Sequence, residues 1–221
     1  MGIMGDFDHP YMTLKKSFVT DQLRVFKKFF DNGLVRRQEK PVYWGCENAT
    51  ALAEGELEYN QQHQSKAAYV KFPIVEVSKD LEKSLGPQIV EAGISALIWT
   101  STPWTLASNL AISINEDFEY TVIHNEKFGN LVVSTELMPS LEKIFEFNKS
   151  DVVFKGSELL GCKYESPILS NGQKYPFLHG SHVTSTAGTG LVHTAPGHGQ
   201  DDYLVCLQNG IKPYSPSAWR R

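Results

Sequence analysis

At 221 residues, with 41% hydrophobic and 21% charged side chains, the chain suffices for one large domain or two small ones around a substantial core. Those proportions exclude a disordered segment, and a net charge of -4 argues against a protein that coats nucleic acid by electrostatics alone. No apolar run approaches the roughly 18 residues that a membrane span needs, so no membrane partner is expected.

Residues 1–16 carry neither a secretory apolar core nor an Arg- and Ser-rich transit pattern. Residues 1–40 hold eight Lys/Arg against five Asp/Glu, and Arg24, Lys27, Lys28, Arg36, Arg37 and Lys40 form a modest basic stretch. A solvated helix face explains that stretch simply; a phosphate contact is the sharper alternative. Residues 20–32 predict an amphipathic helix, with Leu23, Phe26 and Phe30 at helical spacing, Thr20 or Asp21 as a cap and Gly33 as a stop. Pro41 to Trp44 suits a strand, and the Ala/Glu/Leu stretch beyond it reads as a short helix or an extended linker.

From Ala67 onward the pattern turns to strands. AAYVKFPIVEV, ISALIWT, LAISI, YTVI, NLVVS and DVVFK are short, β-branched and aromatic, and are broken by Gly, Asn and Pro. LEKSLGPQIVEAG, residues 81–93, reads as a variable loop insertion, and TELMPSLEKIFEFN as one helix with Pro139 in its first turn. Many short strands with few helices predict a mixed α/β fold whose barrel-like core, closed or nearly so, has helices packed outside it. Cys46, Cys162 and Cys206 stand far apart with no Cys-x-x-Cys pair, so reduced structural thiols are expected rather than disulfides or a thiolate zinc site.

Two segments carry chemistry. In TSTPWTLASN, residues 100–109, four hydroxyls (Thr100, Ser101, Thr102 and Thr105) crowd around Pro103 and Trp104. Proline stiffens the turn and removes a backbone donor, so neighbouring polar groups can face a cleft, with Asn109 adding an amide that donates and accepts. The bland alternative is a strand-ending turn whose hydroxyls satisfy local backbone groups. The second segment, STAGTGLVHTAPGHGQDDY over 185–203, combines glycines that permit close backbone approach with His193, His198, Asp201 and Asp202. The two acids can cap a following helix, DDYLVCLQNG, one capping while the other points into a site.

A phosphate loop is disfavoured because no Gly-Lys-Ser/Thr follows these glycines. A metal held by His193, His198 and an Asp matches no standard zinc spacing. A Ser-His-Asp hydrolase lacks its Gly-x-Ser-x-Gly elbow. From the residues alone, a structural His and Asp pair stays open beside these.

Together, TSTPWTLASN and GTGLVHTAPGHGQDDY resemble the editing insertion of isoleucyl-tRNA synthetases, as do TALAEGELEY and YVKF. The resemblance runs from about residue 5 to residue 216. Valyl and leucyl relatives typically have Arg-Pro-Glu or Arg-Pro-Asp where this chain has Thr102-Pro103-Trp104, which selects the isoleucyl branch. Three departures stand out: Ser101 replaces a threonine, Gln200 stands where many relatives have Glu, and SAWRR departs from the pattern and reads as a foreign tail.

The resemblance implies a class I synthetase editing-domain fold over 1–221, with a helical and linker arm over 1–60, a barrel core carrying the site over 61–216, and the tail over 217–221. It implies post-transfer editing, with room for pre-transfer editing: hydrolysis of valine from the 3′ end of tRNA(Ile), without a covalent intermediate or metal. Asp202 would bind the α-ammonium, as a carboxylate suits, and Thr102 with Thr100 and Ser101 would hold the ester and the water. Trp104 and Thr105 would shape the side-chain pocket, and His193 would limit its depth so that isoleucine clashes. Asn109 would contact the terminal adenosine or support the threonine segment, and His198 is counted among the substrate-binding residues.

Signatures of the aminoacylating core, His-Ile-Gly-His and Lys-Met-Ser-Lys-Ser, do not occur. The implied parent synthetase is thus a partner, and ATP is a cofactor of its synthetic core alone, with none in this domain. The Gly-His-Gly turn resembles bacterial and mitochondrial forms, so a mitochondrial location is expected, with a cytoplasmic one as the alternative. Two other functions remain in view: a tRNA- or partner-binding module without hydrolysis, and a metal-dependent hydrolase.

Overall fold

The computed structural model describes residues 2–169 and 171–216, so the tail at 217–221 lies outside the described residues. The chain divides into two compact units between Glu39 and Lys40. The expected arm therefore ends at Glu39 rather than at residue 60.

In the first unit, α1 spans Lys16–Asp31, starting earlier than the sequence pattern suggests, and no side chain caps its N-terminus. Thr20 instead bonds back to the Lys16 carbonyl, and Asp21 pairs with Arg24. Gly33, at φ 70°, follows its end as expected. Lys27 pairs with Asp31 at 2.6 Å, so part of the basic stretch is neutralised within the helix. No residue of α1 is buried.

The second unit opens with a small hairpin, β1 (Trp44–Gly45) and β2 (Thr50–Ala51), and a 3-10 turn at Glu54–Glu56. Then come β3 (Ala68–Glu76), α2 (Lys79–Leu85), α3 (Pro87–Glu91), β4 (Ile94–Thr100), β5 (Ala111–Ile114), β6 (Glu119–Asn125) and β7 (Gly129–Ser134). The chain continues through α4 (Met138–Leu141), β8 (Asn148–Lys155), β9 (Lys163–Glu165), β10 (Lys174–His179), β11 (Val192–Thr194) and α5 (Gln200–Gln208). Nine strands form one mixed sheet in the order β11-β5-β10-β9-β3-β4-β7-β6-β8.

The described ladder leaves β11 and β8 at its ends, so the barrel-like core is not closed by strand pairing. The sheet curls instead. Ser134 N–H on β7 donates to the Thr189 carbonyl at 2.8 Å, and the Tyr120 hydroxyl on β6 donates to Gly190 at 2.8 Å. These bonds bring the approach to β11 against the far half of the sheet. Inside the curl, Phe72, Ile98, Ile112, Ile114, Tyr120 and Tyr164 are fully buried. Alternating strand positions supply them, as a half-buried pleated surface requires.

Two segments depart from the sequence pattern. Residues 81–93 are not a loop: Ser78 caps α2 through its hydroxyl, and Leu81 and Leu85 enter the core. Gly86, at φ 76°, breaks the helix before Pro87 starts α3. The helix predicted after β7 shrinks to α4 because Phe145 and Phe147 turn back onto Leu97, Ile123, Leu131 and Leu141. Pro139 does sit in its first turn.

Candidate active site

The first element of the site is the end of β4. Thr100 closes the strand, and Pro103, lacking an N–H, opens a 3-10 helix at Pro103–Ser108 with Thr102 as its N-cap. Thr100 Oγ1 accepts from Thr102 N–H at 3.1 Å and lies 3.2 Å from Thr102 Oγ1. Thr105 donates its hydroxyl hydrogen to the Thr102 carbonyl at 2.8 Å. The hydroxyls thus satisfy local backbone, as the bland alternative has it, while Thr100, Ser101, Thr102 and Thr105 still line a hollow.

The second element is β11, which pairs with β5 so that His193 lies opposite Ile112. His193 is 7% exposed, and both ring nitrogens are engaged: Nδ1 with Asn109 Nδ2 at 2.8 Å and Nε2 with Thr105 Oγ1 at 3.0 Å. Asn109 Nδ2 also donates to the Ala111 carbonyl, and Asn109 Oδ1 accepts from the Tyr164 hydroxyl at 2.6 Å. A carbonyl can only accept, so the amide orientation is fixed and His193 Nδ1 must be the acceptor. His193 is therefore neutral, with its proton on Nε2 facing Thr105. Burial, with His198 nearby, pushes its pKa down to about 4, in agreement with that wiring. Burial raises the Tyr164 pKa well above its ordinary value, which keeps its hydroxyl a donor.

The third element is the turn from Ala195 into α5. Gly199 is the helix N-cap, and neither aspartate caps. Asp202 Oδ2 accepts from the Ala195 N–H at 2.8 Å, and burial raises its pKa above the usual aspartate value. Asp201 is exposed. His198 shares a 2.9 Å hydrogen bond with Ser108 Oγ, and burial lowers its pKa, with Asp202 opposing.

These three elements enclose a hollow of about 370 Å³ lined by the threonine segment, His193, His198, Gly199 and Asp202. That volume suits a small ligand. Trp104 does not line it and is 65% exposed, unlike its expected place on the pocket wall. Asn109 is fully buried behind His193, so it supports the site and cannot reach a ligand in the hollow. Trp99 and His182, neither of them expected from the sequence, also line it, as does the Gly188–Val192 wall, whose two glycines were expected to permit close approach. For Trp99, its place one residue before the hydroxyl cluster was an available signal; His182 had none. Among the described residues, no group of three or more His, Cys, Asp or Glu side chains could hold a metal ion.

The curled mixed sheet shares its fold with synthetase editing domains. It matches the crystal structure of GlLeuRS-CP1 at TM-score 0.55 and 21% identity, over 66% of this chain and 63% of that one. It also matches the editing domain of P. knowlesi cytosolic leucyl-tRNA synthetase at TM-score 0.53 and 16% identity, covering 69% and 66%. The family model for tRNA synthetases class I (I, L, M and V) matches residues 1–196, and the chain belongs to that family.

Among curated relatives, it is 49% identical over 216 residues to the mitochondrial isoleucine–tRNA ligase of Saccharomyces cerevisiae, covering 97% of this chain and 21% of the relative. It is 40% identical to the isoleucine–tRNA ligase of Microcystis aeruginosa, covering 97% and 22%, and 39% identical to the probable mitochondrial enzyme of Dictyostelium discoideum, covering 98% and 22%. The chain thus spans about a fifth of the length of these relatives.

Proposed function

We propose that this hollow hydrolyses the ester joining valine to the 3′-terminal ribose of tRNA(Ile), as the editing site of a mitochondrial isoleucine–tRNA ligase. One observation carries the reading: the Thr100–Thr105 hydroxyls, His193 and Asp202, from three separate elements, face a single hollow. The similarity to isoleucine–tRNA ligases supports the amino acid, and the 49% identity to the yeast mitochondrial enzyme supports the compartment. The parent synthetase would supply the synthetic core and its ATP; this unit would need no cofactor.

The geometry divides the labour. Asp202 offers a carboxylate, held by the Ala195 N–H, to the α-ammonium. Thr102 and Ser101, both exposed on the rim, hold the ester and the water with a free ribose hydroxyl. His193 forms a rigid wall, since both nitrogens are tied down, and it sets the depth that admits valine and stops isoleucine. One methylene is worth only ~1–3 kcal/mol in a synthetic pocket, a limit for which isoleucyl-tRNA synthetase is itself the standard example; a second, smaller pocket reverses the test. His193 cannot activate a threonine hydroxyl, because its Nε2 donates rather than accepts. An already reactive ester then needs positioning rather than a covalent intermediate.

Deacylation of valyl-tRNA(Ile) by the 221-residue chain is the test. Hydrolysis should be unaffected by chelator, lost in Asp202→Ala with the fold retained, and extended to isoleucyl-tRNA(Ile) in His193→Ala. No turnover by the wild-type chain above the uncatalysed rate would leave a binding module, and loss with chelator would leave a metal-dependent hydrolase.

A further inference from the structure

An ester hydrolysed by water passes through an oxyanion, and that charge needs a donor aimed at it. Five backbone donors beside the hollow are already taken, although the wall also includes Gly188, Thr189, Gly190 and Gly199. Thr102 N–H bonds Thr100 Oγ1, Leu191 N–H bonds Thr189 Oγ1, and Ala195 N–H bonds Asp202. Thr105 N–H and His198 N–H go to the carbonyls of Thr102 and Ala195. His193 gives its one ring proton to Thr105.

Two further rings line the hollow: His182, whose Nε2 is buried without a hydrogen-bond partner among the described residues, and His198, which is held by a defined bond. His198 Nε2 lies 2.9 Å from Ser108 Oγ. Ser108 is 2% exposed, and His198 is its hydroxyl's hydrogen-bond partner, with no other among the described residues. The buried hydroxyl hydrogen therefore points at Nε2, which makes Nε2 the acceptor and places the ring proton on Nδ1. Nδ1 has no protein partner among the described residues. The turn holds the ring in place through His198 N–H to the Ala195 carbonyl at 2.9 Å.

Resting on the editing reading above, we infer that His198 Nδ1–H is the hydrogen-bond donor to the ester's carbonyl oxygen as it becomes an oxyanion, with Ser108 fixing the tautomer. Water oxygen bonds to the carbonyl carbon, and the carbonyl π pair moves onto the oxygen that Nδ1–H meets. When the pair returns, the bond to the ribose oxygen breaks, and that oxygen takes the proton that the water gave up. Burial keeps His198 neutral at physiological pH, as a donor that need not ionise. Around it stand Asp202 and Asp201 at the start of α5, His193 on β11, His182 on the facing segment and Ser108 on the 3-10 helix.

The test compares His198→Leu, His198→Gln and Ser108→Ala in the 221-residue chain, with valyl-tRNA(Ile) as substrate. His198→Leu should lower kcat by about 100-fold, the usual effect of removing one oxyanion donor. Binding of a non-hydrolysable 3′-valylamino-adenosine should be unchanged. His198→Gln keeps an N–H donor that does not titrate, so it should recover most of that loss and show the wild-type pH profile. Ser108→Ala should fall between them. Wild-type kcat in His198→Leu would overturn the assignment; so would a His198→Gln as inactive as the Leu variant and lacking an acid limb, which would make His198 a base. If the wild-type chain binds the analogue but leaves the ester intact, the editing reading itself fails.

Discussion

At the scale of residues, His193 is decided by what lies behind it rather than by what it faces. Ala111's carbonyl and Tyr164's hydroxyl orient Asn109, Asn109 orients His193, and His193 orients Thr105. In Asn109→Ala, His193 Nδ1 and the Tyr164 hydroxyl both lose a partner in the core. Each stranded group costs about 1–3 kcal/mol, so a loss of roughly 3 kcal/mol is expected in urea unfolding. A change under about 0.5 kcal/mol would mean that the chain of bonds does not bear on the fold.

The same burial sets a pH dependence. With its folded pKa lowered to about 4 from the usual 6.5, His193 binds a proton more readily in the unfolded chain. Its contribution is whole above pH 6.5 and falls as pH drops toward about 4, on the order of 3 kcal/mol in total. His198, also lowered, acts in the same direction. Asp202, raised by burial, works the opposite way from its ordinary 3.8 upward and blunts the lower end of the window. Unfolding free energies measured between pH 7 and pH 4.5 should therefore decline, and His193→Gln should flatten the slope. Little of this could be read from the sequence. Motif chemistry marked the segments that hold Thr102, His193 and Asp202, and only the family resemblance gave those residues roles; Asn109's role depends on Tyr164, whose partner lies 55 positions away.

At the scale of elements, strand periodicity was the legible signal. ISALIWT is β4 without a residue to spare, whereas β9, three residues long, has too few positions to show alternation. Residues 81–93 misled because Gly86 and Pro87 read as loop punctuation while serving to join two helices. Glycine carries a different burden at the approach to β11. Gly190 has φ +79°, and a Cβ there would lie 2.4 Å from Ser134 Cβ, against the β7 residue that bonds Thr189. Gly188 has a similar φ of +78°, but its Cβ would meet only the Trp99 ring at an ordinary 3.4 Å. Gly188→Ala should therefore cost about 1–2 kcal/mol, the left-handed strain alone. Gly190→Ala adds a clash, for about 3 kcal/mol or more, and should lower Tm by roughly 6–12 °C. Equal Tm values for the two variants would show that the curl of the sheet tolerates movement there.

For the whole molecule, the division at Glu39 and Lys40 has a consequence that the amphipathic pattern of α1 concealed. Leu23, Phe26 and Phe30 recur as a buried face would, yet they are 63%, 53% and 61% exposed. Periodicity reports that a face is apolar, not what covers it. Among the described residues, the buried core instead comes from the second unit, between Phe72 and Cys206, as does the lining of the hollow. The free energy of folding scales with apolar surface removed from water, and among the described residues of 2–39 none is buried. Deleting residues 1–39 should thus leave Tm within about 2 °C of the full chain, because a larger shift would require buried contacts worth about 1 kcal/mol. Valyl-tRNA(Ile) deacylation at saturating substrate should persist in the shortened chain. A salt-dependent rise in KM would assign the basic stretch to phosphate contacts, since such contacts weaken as counterions compete. A fall in Tm of 10 °C or more, roughly 3 kcal/mol, would show that the first unit is part of the cooperative fold.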